Sequence, residues 1–224
     1  MKGIAVLMKK LDIIYEDKEI IVINKEAKLL TVSTDKVKNN TLYSEVSSYV
    51  KKKNPKNKIF IVHRLDKDTS GVILFAKNEK IKKAFQDNWD NLVKRREYIA
   101  LVEGNNIGKG TIKSYLYETK TFQVISSNNA SRGKLAITEY ESIKESRKYS
   151  LVKINILTGR KNQIRVHLSL IGHNIVGDKK YGSITNPLNR LGLHATKLVI
   201  THPFTKEIMT FESNIPQLFS NLIK

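Results

Sequence analysis

The apolar positions of this chain fall mostly in short runs bounded by charged or turn-forming residues, a pattern of strands rather than long helices. IIY and EIIVIN, within residues 12–24, read as two strands parted by Glu16-Asp17-Lys18, a turn signal. IFIV (59–62) and VILFAK (72–77) read as two more. EYIALVEG (97–104), GTIKSYLYE (110–118), FQVIS (122–126), LAITEYESI (135–143) and YSLVKINIL (149–157) continue the series. In the last of these Val152, Ile154 and Ile156 alternate with other residues, the period of a half-buried strand. LGLHATKLVI and EIMTFES (207–213) predict a final hairpin, joined by Thr201-His202-Pro203-Phe204.

Helical spacing is confined to a few segments. TLYSEVSSYVKKK (41–53) predicts a short helix capped by Thr41. Asn78 is placed to cap a helix that carries Ile81, Phe85, Trp89 and Leu92 on one face. QIRVHLSLI (163–171) sets Ile164, Leu168 and Ile171 in helical register, and IPQLFSNLIK closes the chain with a helix. Many adjacent strands with few helices predict an α+β fold built on a large mixed or antiparallel sheet.

Charge changes this picture most. Among 224 residues, Lys and Arg number 40 and Asp and Glu 21, a net charge of +19. Such an imbalance favours a polyanionic partner, with nucleic acid ahead of an anionic membrane surface. The chain has no cysteine, which excludes disulfides, thiolate metal sites and cysteine nucleophiles. The apolar run Gly3 to Met8 is too short for a secretory signal, and no stretch reaches membrane-spanning length. A cytoplasmic protein, with no membrane partner, is expected.

Two superficial motifs do not survive inspection. GNNIGKGT (104–111) has only three residues between Gly104 and Gly108, and Gly110 follows the lysine where a hydroxyl is needed; a glycine-rich hairpin turn is expected instead of a phosphate loop. The histidines, His63, His167, His173, His194 and His202, include no pair at metal-binding helical spacing, so no metal is expected.

Three segments do concentrate chemistry. IVHRLDKDTSGVILFAK (61–77) places His63, Arg64, Asp66, Asp68, Thr69 and Ser70 between two strand-like runs. Its aspartates could simply cap turns, and Thr69 and Ser70 could bond backbone amides. Alternatively Asp66 is a working carboxylate, held ionised by nearby Arg64. Two carboxylates two residues apart on one loop are poorly placed to flank a scissile bond from both sides, so one acting carboxylate, Asp66, and one turn residue, Asp68, is the preferred reading. In ILTGRKNQIRVHLSLIGHNIVGDKKYG (156–182), a strand, a turn and a helix start near Asn162 bring Arg160 and Arg165 together, an arrangement suited to an anion or to a carboxylate of the fold. In KRREYIALVEG (94–104), Tyr98 is either sheet packing or a stacking platform for a base.

Together these segments resemble the RluA-type family of pseudouridine synthases. HRLDKDTSG resembles that family's H-R-L-D-x-x-T-S-G signature, REYIALVEG its K-x-Y-x-A-x-V-x-G, and TGRKNQIRVHLSLIGHNIVGDKKYG its T-G-R-x-H-Q-I-R-x-H-L…G-H-P-I-x-G-D-x-x-Y-G. RLGLHATKLVITHPFTKE (190–207) resembles its R-L-x-L-H-A…H-P-x-T ending. The chain departs from the pattern in four places. Arg96 stands for lysine, Asn162 for histidine and Asn174 for proline; in NKEAKLL, Glu26 and Lys28 stand in the N-K-P-x-G turn and are expected to remove its rigidity.

The resemblance implies the pseudouridine synthase fold over residues 11–224, with 1–10 an N-terminal extension too short for the S4 RNA-binding domain of many relatives. It implies isomerisation of uridine to pseudouridine in ribosomal or transfer RNA, ribosomal favoured, with no cofactor and a monomeric enzyme. It assigns catalysis to Asp66, Tyr98 and Arg165. Arg165 would pair with Asp66, Tyr98 would lie against the uracil, and Arg64 would fill the space of an extruded base. His63, Thr69, Arg160, Gln163 and Ile164 are the accompanying substrate-binding positions.

Overall fold

A computed structural model of the chain describes residues 11–33 and 39–224. The expected N-terminal extension, residues 1–10, lies outside them. The strands are β1 (Ile13–Glu16), β2 (Ile20–Lys25), β3 (Phe60–Ile61), β4 (Ser70–Ala76), β5 (Val93–Glu103), β6 (Lys109–Glu118), β7 (Val124–Ser127), β8 (Lys134–Glu145), β9 (Tyr149–Ile156), β10 (Leu193–Thr201) and β11 (Ile208–Glu212). The helices are α1 (Leu42–Lys53), α2 (Glu79–Asp87), α3 (Trp89–Leu92), α4 (Gln163–Leu170) and α5 (Gln217–Asn221). All strands join one sheet in the order β1-β2-β4-β10-β5-β9-β8-β6-β7, with β11 on β10 and β3 on β4. Its pairings are antiparallel except for β4 beside β10, so the expected mixed α+β sheet is what forms.

The central strands read as continuous apolar runs because both of their faces are buried. On β2 and β4, Ile21, Ile23, Ile73 and Phe75 pack on one face with α1 and α4. Ile20, Val22, Val72 and Leu74 pack on the other, against Ile81 and Phe85 of α2. On β5, Tyr98, Ala100 and Val102 share the first face, while Ile99 and Leu101 meet Phe219 and Ile223 of the C-terminal helix region. Tyr98, Ile156, Ile164 and Leu193 of the first face also line a cavity.

Local signals account for most ends. Thr41 and Ser44 form a reciprocal capping box at α1, and the Asn78 side chain accepts from the Ile81 amide at α2. Two expectations are corrected. The helix after Asn78 does not run through Leu92: it stops at Asn88, and Trp89–Leu92 is a separate turn. Asn88, Asp90 and Asn91 supply polar side chains that compete with a helical backbone. The break leaves Trp89 beside His63 and Arg96, with ring centroids 5.7 Å apart to the histidine. Nor is GNNIGKGT a hairpin. Strands β5 and β6 are separated by β9 and β8, whose alternating core row takes the place beside β5.

A third correction concerns the turn after β2. Lys28 adopts φ 68°, the left-handed conformation that a glycine would supply, so the turn survives the loss of glycine. The Lys25 ammonium bridges it, donating to the carbonyls of Glu26 (2.8 Å) and Leu29 (2.7 Å).

Gly71 marks where β4 begins to run parallel to β10. Its φ is +112°, and a Cβ there would lie 2.1 Å from the Ala195 carbonyl oxygen. Gly71→Ala is expected to cost at least about 3 kcal/mol, from strain plus separation of these strands, measured by denaturant unfolding. Lys28→Gly is expected to act the other way in the same assay, stabilising by about 0.5–1 kcal/mol as left-handed strain is relieved. Unchanged stability in both variants would contradict these backbone assignments.

Candidate active site

The loop from Val62 to Thr69 is pinned from beneath. The Thr69 amide donates to the Asp66 carbonyl at 3.2 Å, closing a turn. The Thr31 hydroxyl donates to the Leu65 carbonyl at 2.7 Å. Lys25, which continues the inward parity of Ile21 and Ile23, adds a bond of 3.0 Å to the Lys67 carbonyl. Burial at 1 % exposure pushes the Lys25 ammonium down to about 8. With Leu65 buried as a plug, Asp66 faces outward, its side chain 34 % exposed.

Asp66 shares one guanidinium with a second carboxylate. Arg165, in the first turn of α4, donates from Nε and Nη2 to Asp178, at 2.7 Å each. Its Nη1 donates to the Asn162 side-chain Oδ1 at 3.2 Å and reaches Asp66 at 3.8 Å. Asn162 holds the left-handed backbone at φ 53° that starts α4, and its amide donates to Tyr181 at 3.0 Å. Asparagine tolerates that conformation better than most residues. Burial pushes the Asp66 carboxyl above the usual carboxylate range; Arg165 pulls against this, and Asp178 pushes with it. Beside them, burial lifts the Tyr98 phenol to about 12. Among the described residues its hydroxyl has no hydrogen-bond partner.

A cavity of about 960 Å³ opens over these groups, and all nine sequence-identified residues line it. Their states differ. Arg64 is exposed and pairs with no described carboxylate, which corrects its reading as the group holding Asp66 ionised; Arg165 stands there instead. His63 accepts from the Leu74 amide at 3.1 Å, and burial lowers it to about 4, so it is a neutral wall. Ser70 turns to the side chains of His194 and Arg190 rather than to backbone amides. Gln163 is bonded within the protein at both ends: it accepts from Thr158 and the Arg160 amide, and donates to Thr138 and the Ile137 carbonyl. Thr69 is buried, Ile164 is core, and the exposed Arg160 donates from Nε to the Leu135 carbonyl.

Asp178, Lys25 and Trp89 were not singled out from sequence. A parity signal existed for Lys25, a lysine in phase with two core isoleucines. For Asp178 the signal was only its place in the GDKKYG stretch.

Asp17, Glu19 and His202 bring three metal-competent groups together. Two of the three, Asp17 and His202, are otherwise occupied. Asp17 accepts from the amides of Glu19 and Ile20 and from the Tyr15 hydroxyl. His202 Nδ1 accepts from the Phe204 and Thr205 amides, so its Nε2 carries the proton and cannot ligate. This donor set suits a braced turn. No helix among the described residues is long and apolar enough to cross a membrane.

The fold matches solved pseudouridylate synthase domains. The human RNA pseudouridylate synthase domain containing 4 superposes with a TM-score of 0.75 at 21 % identity, covering 93 % of this chain and 90 % of that one. The human domain containing 1 gives 0.73 at 24 % identity, covering 96 % and 86 %. In sequence, the family described as RNA pseudouridylate synthase matches residues 19–170. The uncharacterized RNA pseudouridine synthase YhcT of Bacillus subtilis is 34 % identical, over 96 % of this chain and 72 % of its own length. Ribosomal large subunit pseudouridine synthase D of Borreliella burgdorferi is 36 % identical, over 95 % and 68 %. tRNA pseudouridine synthase C of Haemophilus ducreyi is 32 % identical, over 95 % and 94 %. The chain belongs to the RNA pseudouridine synthase family, in its RluA-type branch, and is an RNA-modifying isomerase.

Removing the Asp178 charge while leaving its shape should free Arg165 for Asp66. In Asp178→Asn the Asp66 carboxyl is expected to titrate at lower pH than in the parent protein. Carboxyl ¹³C NMR, assigned with Asp66→Asn, measures this; an upward shift would contradict the shared-guanidinium geometry.

Proposed function

We propose that the enzyme converts specific uridines of structured RNA to pseudouridine by an Asp66-dependent mechanism with base flipping, and that its favoured substrate is large-subunit ribosomal RNA. The carrying observation is a carboxylate that opens into a cavity between a guanidinium and a buried phenol. The ribosomal assignment draws on the named relative of Borreliella burgdorferi, with transfer RNA the other outcome to be mapped.

The reaction breaks the N1–C1′ bond of uridine, turns the uracil and forms a C5–C1′ bond. Substrate and product are isomers, so no electrons are exchanged. Asp66 acts in its ionised form, toward the sugar or the ring. Burial opposes ionisation and Arg165 favours it, giving a carboxylate that is poorly solvated and more reactive for it. Tyr98 offers an apolar ring face with a free hydroxyl beside the base. A stacked uridine cannot reach this floor, so it must swing out, at a cost of a few kcal/mol, about the value of lost stacking and pairing. Arg64, exposed in the cavity lining and unpaired among the described residues, is free to enter the vacated space. Surface lysines hold phosphates without reading sequence, in keeping with the net charge of +19.

Asp66→Asn is expected to abolish tritium release from [5-³H]uridine-labelled RNA while RNA affinity stays within about threefold, because phosphate contacts supply most of it. Release at the parental rate would remove Asp66 from the mechanism. In the unmutated enzyme, release should grow with pH along an acid limb lying above the ordinary aspartate value, since ionisation is required and burial delays it. Mapping pseudouridines in ribosomal and transfer RNA from a strain lacking the enzyme identifies the substrate.

A further inference from the structure

The Arg96 guanidinium in the cavity wall has donors that no described residue accepts. Arg96 lies over the Trp89 ring, 5.5 Å from guanidinium carbon to centroid. It is partly buried and lines the cavity with Trp89, Arg160 and Tyr98. Among the described residues it makes no ion pair or hydrogen bond. Its neighbours contrast with it: Arg95 is paired with Glu97 at 2.5 Å, and Arg165 is bonded to Asp178. Asp90 acts on Arg96 only at a distance, and Arg160 opposes it as a second positive group.

Placement of this group is deliberate in the fold. The break at Asn88 turns Trp89 toward it, and Gly159 makes room: a Cβ at residue 159 would lie 2.7 Å from Arg96 Nη1. A guanidinium held over the face of an indole by cation–π attraction keeps its N–H donors available to a ligand. Burial lowers its hold on the proton, yet it stays charged, so an unneutralised cation faces the cavity.

We infer that Arg96, held over the Trp89 ring and reinforced by Arg160, binds the phosphate of the extruded uridine and so sets how deeply the nucleotide enters toward Asp66. The inference rests on the proposed uridine-isomerising site. Arg96 is then a substrate-binding group for the phosphodiester, separate from the carboxylate–guanidinium pair that meets the base and sugar.

Calorimetric titration with uridine 5′-monophosphate and with uridine tests it, and emission from Trp89, the chain's single tryptophan, reports the same site. The unmutated enzyme is expected to bind the monophosphate about tenfold or more tighter than the nucleoside, as a charge-assisted contact implies. Arg96→Met should cut this preference to within about twofold while nucleoside affinity holds, a pattern that general loosening of the fold does not give. Arg96→Lys should keep part of it, as charge without the planar fork of donors. Gly159→Ala leaves Arg96 in the chain but displaces its guanidinium, and should also lower the preference. A monophosphate preference that persists in both Arg96→Met and Gly159→Ala, or that is missing from the unmutated enzyme, overturns the inference. Tritium release separates the two readings. Release from RNA without a monophosphate preference sinks only the phosphate site; a preference lost in Arg96→Met without any release sinks the isomerase reading and leaves a nucleotide-phosphate site.

Discussion

Arg165 cannot satisfy two carboxylates equally, and the site depends on how it divides itself. Two of its nitrogens are committed to the fully buried Asp178 at hydrogen-bonding distance, and only the third reaches Asp66. A buried guanidinium would be costly unpaired, so Asp178 stabilises it whether or not Asp66 is ionised. That leaves Asp66 with attraction but without a saturating hydrogen bond. A carboxylate gripped bidentately would be ionised and inert; one with no cation nearby would keep its proton. The observed division lies between the two.

This balance requires that the loop and helix not drift apart, and the surroundings prevent it. The loop is fixed to the end of β2 by Lys25 and to residue 31 by a threonine hydroxyl. Its exit into β4 is held by Ser70, which accepts from Arg190 at 2.6 Å and meets His194 Nδ1 at 2.7 Å. Burial lowers His194 to about 4, so that contact is made by a neutral ring. On the other side, Gln163 ties the turn before α4 to β8, and His167 meets Ser114 and Thr138 beneath it. Satisfied buried polar groups of this kind fix geometry more firmly than apolar contact alone, because any shift leaves a donor or acceptor without a partner.

Much of this was readable from the chain. The strands were legible because their apolar runs are short and punctuated, and the polar loop stood out because it interrupts two of them. What remained hidden is instructive. Strand order was not accessible, so GNNIGKGT looked like a hairpin when its flanking strands lie three places apart. Trp89 has helical spacing from Phe85, and nothing in that period reveals a break at Asn88 that redirects it into the site. Arg64 lies nearer to Asp66 in sequence than Arg165 does, yet successive positions on a pinned loop point different ways, and the cation that meets Asp66 arrives from another element. Replacing glycine by Lys28 suggested a changed turn, but backbone strain of about 1–2 kcal/mol is small against a buried ammonium holding both sides of that turn.

A final distinction follows from which polar groups are already spent. Gln163, Asp178 and Lys25 use their hydrogen-bonding capacity inside the protein, so their service to a substrate is to hold shape. Arg64, Arg96 and the Tyr98 hydroxyl keep donors that no described residue accepts, and all three line the cavity. Family resemblance weights Gln163 and Arg64 alike, since both stand in matching motifs. Hydrogen-bond accounting does not. It moves Gln163 to the scaffold and brings forward Arg96, where the chain departs from its relatives' lysine while keeping the charge. The groups left unsatisfied at a cavity wall are the ones whose free energy can still fall when a ligand arrives.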